Sequence, residues 1–433
     1  MIDFLTWFIS PVGILVLVFV VAFMMGIPIA VAMGLASIAS LLVCGDGLEV
    51  LAQVTYTAAD NFALIAIPMF ILAGNLMLRG GITKRITDFC DILVGNFAGG
   101  IGGVTVLGCV FFSALSGSGP AVTAAIGTIM IPTMIKTGYE DAYAGAICAC
   151  SGGIGIVIPP SIPIIIYGLT ASVSIGKLFI AGIIPGFLLG IGLYAVNYIT
   201  SKRNNYRGTK RDRSKKAVLK AIYDAKWAFG APVVVLGGIY SGVFSVTEAS
   251  VAAVIYAVLV GTFIFKELNL NEIFFAVKET VRLIGPIFLI IGTATLFGRI
   301  LTLNQVSQIM AEAIMKVSTD PTVVMCLIAF LLLFIGMWME TIAQVMILTP
   351  IFLPMINELG IDPVFFGIVF IIACEVGFET PPLGANLYVA TELVDTTFEK
   401  MSLRSLPFAL VEIAVMFLLI MVPHLVTFLP RFY

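Results

Sequence analysis

Two pairs of adjacent prolines interrupt apolar sequence in this chain, Pro159–Pro160 and Pro381–Pro382. Each pair follows a stretch that contains glycine, "SGGIGIVI" before the first and "EVGFET" before the second. Proline removes a backbone N–H and displaces the preceding helical turn, and glycine permits a sharp change of direction. We therefore predict that two apolar helices break at these points. Unpaired backbone at such a break needs protein or a water-filled cavity around it.

The composition indicates a protein that crosses a membrane many times. The chain has 433 residues, of which 60% are hydrophobic and 11% charged, and its mean hydropathy is +1.12. A soluble core cannot take up so much apolar surface. Because backbone polar groups must be paired inside the bilayer, the predicted fold class is an all-α polytopic membrane protein.

The residues that are rare or missing disfavour several functions. The single histidine, His424, nearly excludes histidine-dependent metal sites and Ser-His-Asp triads. No G-x-x-x-x-G-K-[ST] loop occurs, so ATP binding by that route is not expected. The seven cysteines lie mostly in apolar runs and are interpreted as packing residues. The start, "MIDFLTWFIS", has no basic residue, so a cleaved signal peptide is not expected.

The two halves of the chain resemble each other. Residues 131–160 align without a gap with residues 353–382, at an offset of 222 (381 − 159), and glycines and prolines coincide. Upstream, "IPMFILAGN" matches "GPIFLIIGT" in the same order. Weak internal symmetry with interrupted helices is typical of secondary transporters. We predict two repeats of inverted topology, residues 1–200 and residues 227–433.

A basic segment separates the two predicted repeats. Between Lys202 and Lys216 the chain has eight basic residues and one acidic residue, Asp212. The positive-inside rule makes this segment cytoplasmic, and we predict a loop at residues 201–226. A nucleic-acid-binding arm is the less favoured interpretation between membrane spans, and no nucleic acid is expected as a partner.

Each half also contains two apolar stretches that are too short to cross a bilayer, because a crossing helix needs about 20 residues. They flank "SGSGPA" in the first half and "WMETIAQ" in the second, and are interpreted as re-entrant helical hairpins. Helix N-termini at such tips favour anionic groups, and carbonyls freed at a break favour small cations. The predicted elements are a hairpin at about 104–132 and a broken helix at about 140–172, then a hairpin at about 322–356 and a broken helix at about 363–392.

Four ionisable residues lie in apolar sequence and are candidates for a functional site. Glu340 at the second hairpin tip is the first candidate for substrate or coupling, with Arg299 as its partner or as the partner of a substrate carboxylate. Glu375 and Glu379 flank the second break. The alternative interpretation for Arg299 and Glu379 is that their long side chains extend to the membrane interface.

Two further segments, residues 80–96 and residues 304–318, mix charged and apolar residues at helical spacing. They occupy matching places in the two halves. We predict amphipathic helices that lie in the membrane interface and join a fixed scaffold to a moving part. An ordinary loop helix is the simpler alternative.

Six motifs together resemble one transporter family: "IPMFILAGNLM", "SGSGPA", "GIVIPPSI", "GVFSVTEA", "LGIDPVFFGI" and "TPPLGANLYVA". In order and spacing the chain is similar to the large membrane subunit of tripartite ATP-independent periplasmic (TRAP) transporters, from about Pro11 to Pro430. The resemblance implies a sodium-coupled importer of organic acids, such as sialic acid or C4-dicarboxylates, that works by an elevator movement in the bacterial inner membrane. It implies two partners, a small four-helix membrane subunit and a periplasmic binding protein, and no cofactor besides the coupling ion Na⁺.

The resemblance also implies where sodium would bind, between each hairpin and its broken helix. An acidic residue at the second hairpin tip is similar to a functional carboxylate of the family, here Glu340. Glu379 stands where the family more usually has an uncharged residue. The implied first sodium site comprises Ser113, Ser116, Gly155, Ile158 and Pro159, and the second comprises Gly336, Gly377, Thr380 and Leu383.

Three alternatives remain at the level of the sequence. A sodium symporter that needs no binding protein would share the same fold. An ion channel would be expected to have a continuous pore, commonly built from several subunits. An intramembrane enzyme is disfavoured because His424 lies far from the serine-rich tip.

Overall fold

The computed structural model describes residues 10–45, 47–208 and 214–433. Regular secondary structure among these residues is helical, without a β-strand, which confirms the prediction of an all-α membrane protein. Residues 1–9, on which the signal-peptide prediction rests, lie outside the described part. By length and composition, six described segments could each cross a bilayer: Phe62–Arg79, Ile175–Asn204, Val246–Ile264, Leu270–Leu303, Thr341–Glu358 and Phe398–Met421.

Ten α-helices make up the described first half of the chain. They are α1 (Pro11–Met24), α2 (Ile29–Cys44), α3 (Glu49–Ala59), α4 (Ala66–Arg79), α5 (Ile82–Val94), α6 (Gly100–Ser116), α7 (Gly119–Lys136), α8 (Asp141–Gly153), α9 (Ile162–Thr170) and α10 (Ile175–Asn204).

Ten more follow in the described second half. They are α11 (Lys215–Tyr240), α12 (Val246–Leu259), α13 (Leu270–Leu303), α14 (Val306–Met315), α15 (Pro321–Gly336), α16 (Thr341–Glu358), α17 (Pro363–Phe378), α18 (Ala385–Thr391), α19 (Phe398–Met421) and α20 (His424–Thr427).

Helices α6 and α7 form a short pair that packs along its length. Helix α6 ends at Ser116 because Gly117 has a φ of +67°, a conformation that costs glycine little. Ser118 is extended, and Pro120 lies in the first turn of α7, where its missing N–H is not needed. The pair covers residues 100–136, around the predicted hairpin at about 104–132.

Both helices with a proline pair end before it, as the sequence predicts. Helix α8 gives way to a 3₁₀ turn, Ile154–Ile156, and the Pro159–Pro160 peptide bond is cis. Helix α17 stops at Phe378, and the Pro381–Pro382 bond is also cis. The chain then resumes as the short helices α9 and α18. Each break therefore has a cis Pro–Pro bond between two helices.

The second short pair, α15 and α16, differs from the first in its packing. It covers residues 321–358, around the predicted hairpin at about 322–356. Helix α15 packs mainly on α17, whereas α16 packs on α13, α14 and α9, so the two arms touch each other little. The tip between them is also longer, running from Met337 to Glu340.

The predicted amphipathic segments form the helices α5 and α14, which confirms their helical part. Helix α5 packs on α6 and α11, and α14 packs on α16. Each therefore contacts the short helix pair of its own half.

The predicted basic loop at residues 201–226 is too long. Helix α10 continues to Asn204, and α11 begins at Lys215 with Ser214 as its cap. Lysine and arginine are good helix formers, so the helices extend past the apolar sequence that the prediction followed. Residues 209–213, which carry Lys210, Arg211 and Arg213, lie outside the described residues.

The two halves interlock around their breaks. Helix α9 of the first half packs on α16 and α17, and α18 of the second half packs on α7 and α8. The Tyr167 hydroxyl donates a hydrogen bond of 2.7 Å to the carbonyl of Pro363. Gly367 faces the Tyr167 ring with no room for a side chain. The first break, residues 154–161, is buried, whereas Pro382 of the second break is exposed.

Candidate functional site

The first hairpin tip lies directly on the first break. The amide of Ile162 donates to the carbonyl of Gly117 at 3.2 Å. A β-carbon on Gly117 would lie 2.5 Å from the carbonyl oxygen of Pro160. Because no side chain fits between them, backbone faces backbone here. Small, hard cations are bound by such carbonyl and hydroxyl oxygens.

The structure brings part of the first implied sodium set together. A β-carbon on Gly155 would lie 3.3 Å from the Ser118 carbonyl oxygen and 3.4 Å from Ser113 Oγ. Ser113 and Ser116 are buried at the end of α6, and the Ser113 hydroxyl donates to the Cys109 carbonyl at 2.5 Å.

The remaining two members of the first set lie on the break itself. Ile158 is buried, and its side chain faces Gly186 of α10. Pro159 is the first residue of the cis Pro159–Pro160 peptide bond. These two residues could therefore bind an ion only with their main-chain oxygens, because neither side chain carries a polar atom.

The second implied sodium set also meets at a tip. Gly336 at the end of α15 touches Gly377 of α17, with 2.8 Å between a β-carbon position and the facing α-carbon. The amide of Leu383 donates to the Met337 carbonyl at 3.2 Å. The Thr380 hydroxyl donates to the Val376 carbonyl at 2.7 Å, and its lone pairs remain available for an ion.

Glu340 lies at the start of α16 and is partly buried. It occupies the cap position of that helix, although its side chain makes no capping hydrogen bond. The neighbouring Thr341 hydroxyl donates to Glu375 Oε2 at 3.3 Å, so the second tip is tied to the second broken helix.

Arg299 lies elsewhere. Its side chain is exposed on α13 and lines a cavity of about 460 Å³ between α3, α9, α13 and α16. Among the described residues no ion pair joins Arg299 to Glu340. The polar residues that share this cavity with Arg299 are Thr57, Asn61, Thr170, Thr295 and Thr302. The cavity therefore has one cationic side chain surrounded by hydroxyl and amide groups.

Two buried polar residues next to the second break were not predicted from the sequence. Asn386 of α18 is 0% exposed and Glu412 of α19 is 3% exposed. Both lie beside Glu379. A glutamate within the apolar run "FALVEIAVMF" was the available signal for Glu412, but it did not reveal the partner.

Comparison with known proteins identifies the family. Residues 16–425 match the family described as the tripartite ATP-independent periplasmic transporter, DctM component. The chain is 39% identical over 98% of its length to the isethionate TRAP transporter permease protein DctMQ of Oleidesulfovibrio alaskensis, and covers 67% of that protein. It is 36% identical over 90% of its length to the C4-dicarboxylate TRAP transporter large permease protein DctM of Pseudomonas aeruginosa, covering 91% of it. It is 35% identical over 94% of its length to the sialic acid TRAP transporter large permease protein SiaM of Vibrio cholerae, covering 96% of it.

The fold is shared with more distant transporters. The Alcanivorax borkumensis YdaH transporter superimposes with a TM-score of 0.64 at 17% identity, over 94% of this chain and 97% of the other. MtrF of Neisseria gonorrhoeae gives a TM-score of 0.63 at 15% identity, over 95% of each chain. Family match and relatives agree, and the chain is a member of the TRAP transporter family, in its large permease (DctM) component.

Proposed function

We propose that this chain is the large transmembrane subunit of a sodium-coupled, binding-protein-dependent transporter that imports an organic acid across the bacterial inner membrane. The observation that carries the proposal is the packing of each hairpin tip on a break. Gly117 lies against Pro160 in the first half, and Gly336 lies against Gly377 in the second. Two backbone-lined contacts of the same kind suit two small cations better than they suit a continuous pore.

Sodium is the proposed coupling ion because the groups at both tips are oxygens. Ser113 supplies a hydroxyl beside Gly155 at the first tip, and Ser116 supplies a buried one at the end of α6. Thr380 supplies one near Gly377 at the second tip. Main-chain carbonyls of Ile158, Pro159 and Leu383 complete the proposed sets. Such sites would assemble or open as the tips move against the breaks, which couples ion binding to conformation.

The proposed substrate is an organic acid, a carboxylate such as sialic acid or a C4-dicarboxylate. The Arg299 guanidinium can hold an anionic group with two parallel hydrogen bonds, and the threonines around it add donors. Glu340 would act from the tip of α16, either on polar groups of the substrate or in coupling. The relatives are named for different substrates, from isethionate to sialic acid. Uptake of several labelled organic acids therefore has to be compared to find the one that this chain carries.

The proposed mechanism is an elevator movement of the two tip-and-break units against the remaining helices. Helices α5 and α14 would join the moving part to the scaffold, since each packs on a helix pair. A small four-helix membrane subunit would brace the scaffold, and a periplasmic binding protein would deliver the substrate. The relative DctMQ is longer than this chain, which suits a large subunit whose small partner is either fused or separate.

Uptake into proteoliposomes tests the proposal. This chain and its small partner would be reconstituted and offered labelled isethionate, succinate and sialic acid. Four conditions would be compared, with and without an inward sodium gradient and with and without the binding protein. Uptake that needs both is the expected result. Uptake with sodium alone would remove the binding protein from the mechanism and favour the independent symporter. Uptake without saturation would favour a channel and overturn the proposal.

A further inference from the structure

A cavity of about 870 Å³ lies between α5, α11 and the segment that follows α12. Helix α5 supplies Lys84 and Arg85 to its lining, and α11 supplies Lys220 and Lys226. None of the residues proposed for sodium or substrate binding lines it. The proposed function therefore leaves this cavity without a role.

Three lysines of the cavity lack an acidic partner. Among the described residues, no ion pair includes Lys84, Lys220 or Lys226, and all three side chains are exposed. Arg85 differs from them, because its guanidinium pairs with Glu267 at 2.7 Å. Basic groups that converge on one cavity from different helices near a membrane surface are typical of a site for a lipid headgroup.

The side chains around the cavity carry a net charge of +1, from four basic and three acidic residues (4 − 3). The acids are Asp88, Asp224 and Glu267. A ligand with one negative charge would balance this lining. Asp224 forms no ion pair with a described residue, so its carboxylate can accept hydrogen bonds from hydroxyl groups of the ligand.

Aromatic and apolar side chains form the rest of the lining. Tyr223 is 65% exposed and Trp227 is 40% exposed, and the Lys226 ammonium lies 3.6 Å from the centre of the Tyr223 ring. Tyrosine and tryptophan are enriched at the depth of lipid headgroups. The apolar residues of the lining are Phe89, Ile92, Ala217, Ala221, Ile264 and Phe265. A cavity with both charged and apolar walls suits an amphiphile better than a water-soluble anion.

We propose that this cavity binds one molecule of phosphatidylglycerol from the cytoplasmic leaflet. The three lysines bind its phosphate, and the Asp224 carboxylate accepts a hydrogen bond from a glycerol hydroxyl. Its single negative charge balances the net charge of the lining. Phosphatidylcholine would do neither, because its headgroup has no net charge and no hydrogen-bond donor.

The position of α11 in the chain supports the choice of leaflet. Helix α11 begins at Lys215, directly after the basic segment that the positive-inside rule assigns to the cytoplasm. Lys220 and Lys226 follow within the next three turns, at the depth of the headgroups. Because α5 packs on α11, a lipid between them would hold the two helices together. The proposal requires neither sodium coupling nor a particular substrate.

Fluorescence quenching of Trp227 by brominated lipid tests the proposal, because Trp227 lines the cavity. The chain has three tryptophans, and the changes Trp7→Phe and Trp338→Phe leave Trp227 as the only one. This parent chain is placed in vesicles of equal parts phosphatidylglycerol and phosphatidylcholine, with bromine on the acyl chains of one lipid or of the other. We expect phosphatidylglycerol to be preferred at Trp227 by roughly fivefold or more.

The double change Lys84→Gln and Lys220→Gln removes one charge from each helix, and we expect it to lower this preference to a ratio near 1. The matched control is the double change Lys215→Gln and Lys216→Gln, which removes two exposed charges from α11 outside the cavity. It should keep the preference of the parent chain. An equal loss in both double variants would indicate diffuse attraction to an anionic membrane and would overturn the site. The absence of a preference in the parent chain would also overturn it.

Two further probes separate this lipid from other sources of phosphate. Phosphatidylglycerol should raise the thermal unfolding midpoint of the parent chain in detergent, whereas sn-glycerol 3-phosphate, which has no acyl chains, should leave it unchanged. An equal rise with sn-glycerol 3-phosphate would overturn the assignment to a lipid. Phosphatidylethanolamine then replaces phosphatidylcholine in the vesicles. A preference for phosphatidylethanolamine over phosphatidylglycerol would overturn the assignment to an anionic headgroup.

Discussion

Gly336 and Gly377 touch, so that a β-carbon on either residue would lie 2.8 Å from the α-carbon of the other. Gly336 is the last residue of α15, and Gly377 lies one residue before the end of α17. The carbonyl oxygen of Leu333 would lie 2.5 Å from the same position on Gly377. The two backbones therefore meet directly, as the proposed second sodium site requires.

The change Gly377→Ala should force α15 and α17 apart, because the added methyl group has no space. Overpacking of this kind costs about 1–3 kcal/mol of stability. We expect a lower thermal unfolding midpoint in detergent, and a smaller increase of that midpoint when Na⁺ is added. Both quantities can be followed by the fluorescence of the purified chain.

Gly237→Ala is the matched control for this prediction. Gly237 lies within α11, and apart from its chain neighbours and the backbone of its own helix no atom lies within 4 Å of its β-carbon position. Alanine is favoured over glycine in a helix by about 1 kcal/mol, so the midpoint should stay constant or rise. Equal midpoints for Gly377→Ala and Gly237→Ala would contradict this prediction, because they would mean that the added methyl group finds room between α15 and α17.

Glu340→Ala should abolish uptake while leaving the chain folded, because the carboxylate lies at a tip and makes no capping hydrogen bond that α16 needs. Glu340→Gln tests whether the charge is required, and Glu340→Asp tests the reach of the side chain. Uptake of the labelled substrate into proteoliposomes is the measurement. Glu358→Ala is the control, because Glu358 is exposed at the other end of the same helix. Wild-type uptake by a well-expressed Glu340→Ala protein would remove Glu340 from the site.

Arg299→Gln should raise the KM for the transported anion by roughly 10- to 100-fold, as expected for the loss of a charged hydrogen bond of about 1.5–3 kcal/mol. Arg299→Lys should recover only part of this, because lysine lacks the planar fork of arginine. Initial rates of uptake against substrate concentration give the KM. Arg282→Gln is the control, since Arg282 is exposed on the same helix outside the cavity. An unchanged KM in Arg299→Gln would place the substrate elsewhere.

The breaks could be predicted from the sequence because their cause is local. A proline pair cannot continue a helix, whatever packs around it, and both α8 and α17 end accordingly. The tip after Ser116 could also be predicted from the sequence, since Gly117 ends α6 and Pro120 lies in the first turn of α7. The length of the basic loop could not be predicted in this way. Hydropathy shows where the apolar sequence ends, but α10 continues beyond that point to Asn204.

Contacts between distant elements could not be predicted in the same way. Glu412 in an apolar run indicates burial, but only the three-dimensional structure shows that it meets Glu379 of another helix. The prediction that Arg299 could pair with Glu340 had the same weakness. Both residues lie in apolar sequence, yet Arg299 lines the cavity beside α13 and Glu340 lies at the tip before α16. No ion pair joins them among the described residues.

Asn197 should prove important for stability, because its buried amide joins three segments of the first half. Its Nδ2 donates to the Gly99 carbonyl at 2.9 Å, and its Oδ1 accepts from the Tyr143 hydroxyl at 3.1 Å and from Ser201 Oγ at 3.3 Å. Removing the amide leaves these buried groups unpaired, at a cost of about 1–3 kcal/mol for each group left without a partner. We expect Asn197→Ala to lower the thermal unfolding midpoint of the purified chain clearly.

The control for this last prediction is Asn204→Ala at the exposed end of the same helix, which should leave the midpoint nearly constant. Tyr143→Phe removes one of the three bonds and should fall between Asn197→Ala and the wild type, because Asn197 would keep its other two partners. An Asn197→Ala midpoint equal to that of Asn204→Ala would mean that water replaces the amide and that the network does not hold α8 and α10 together.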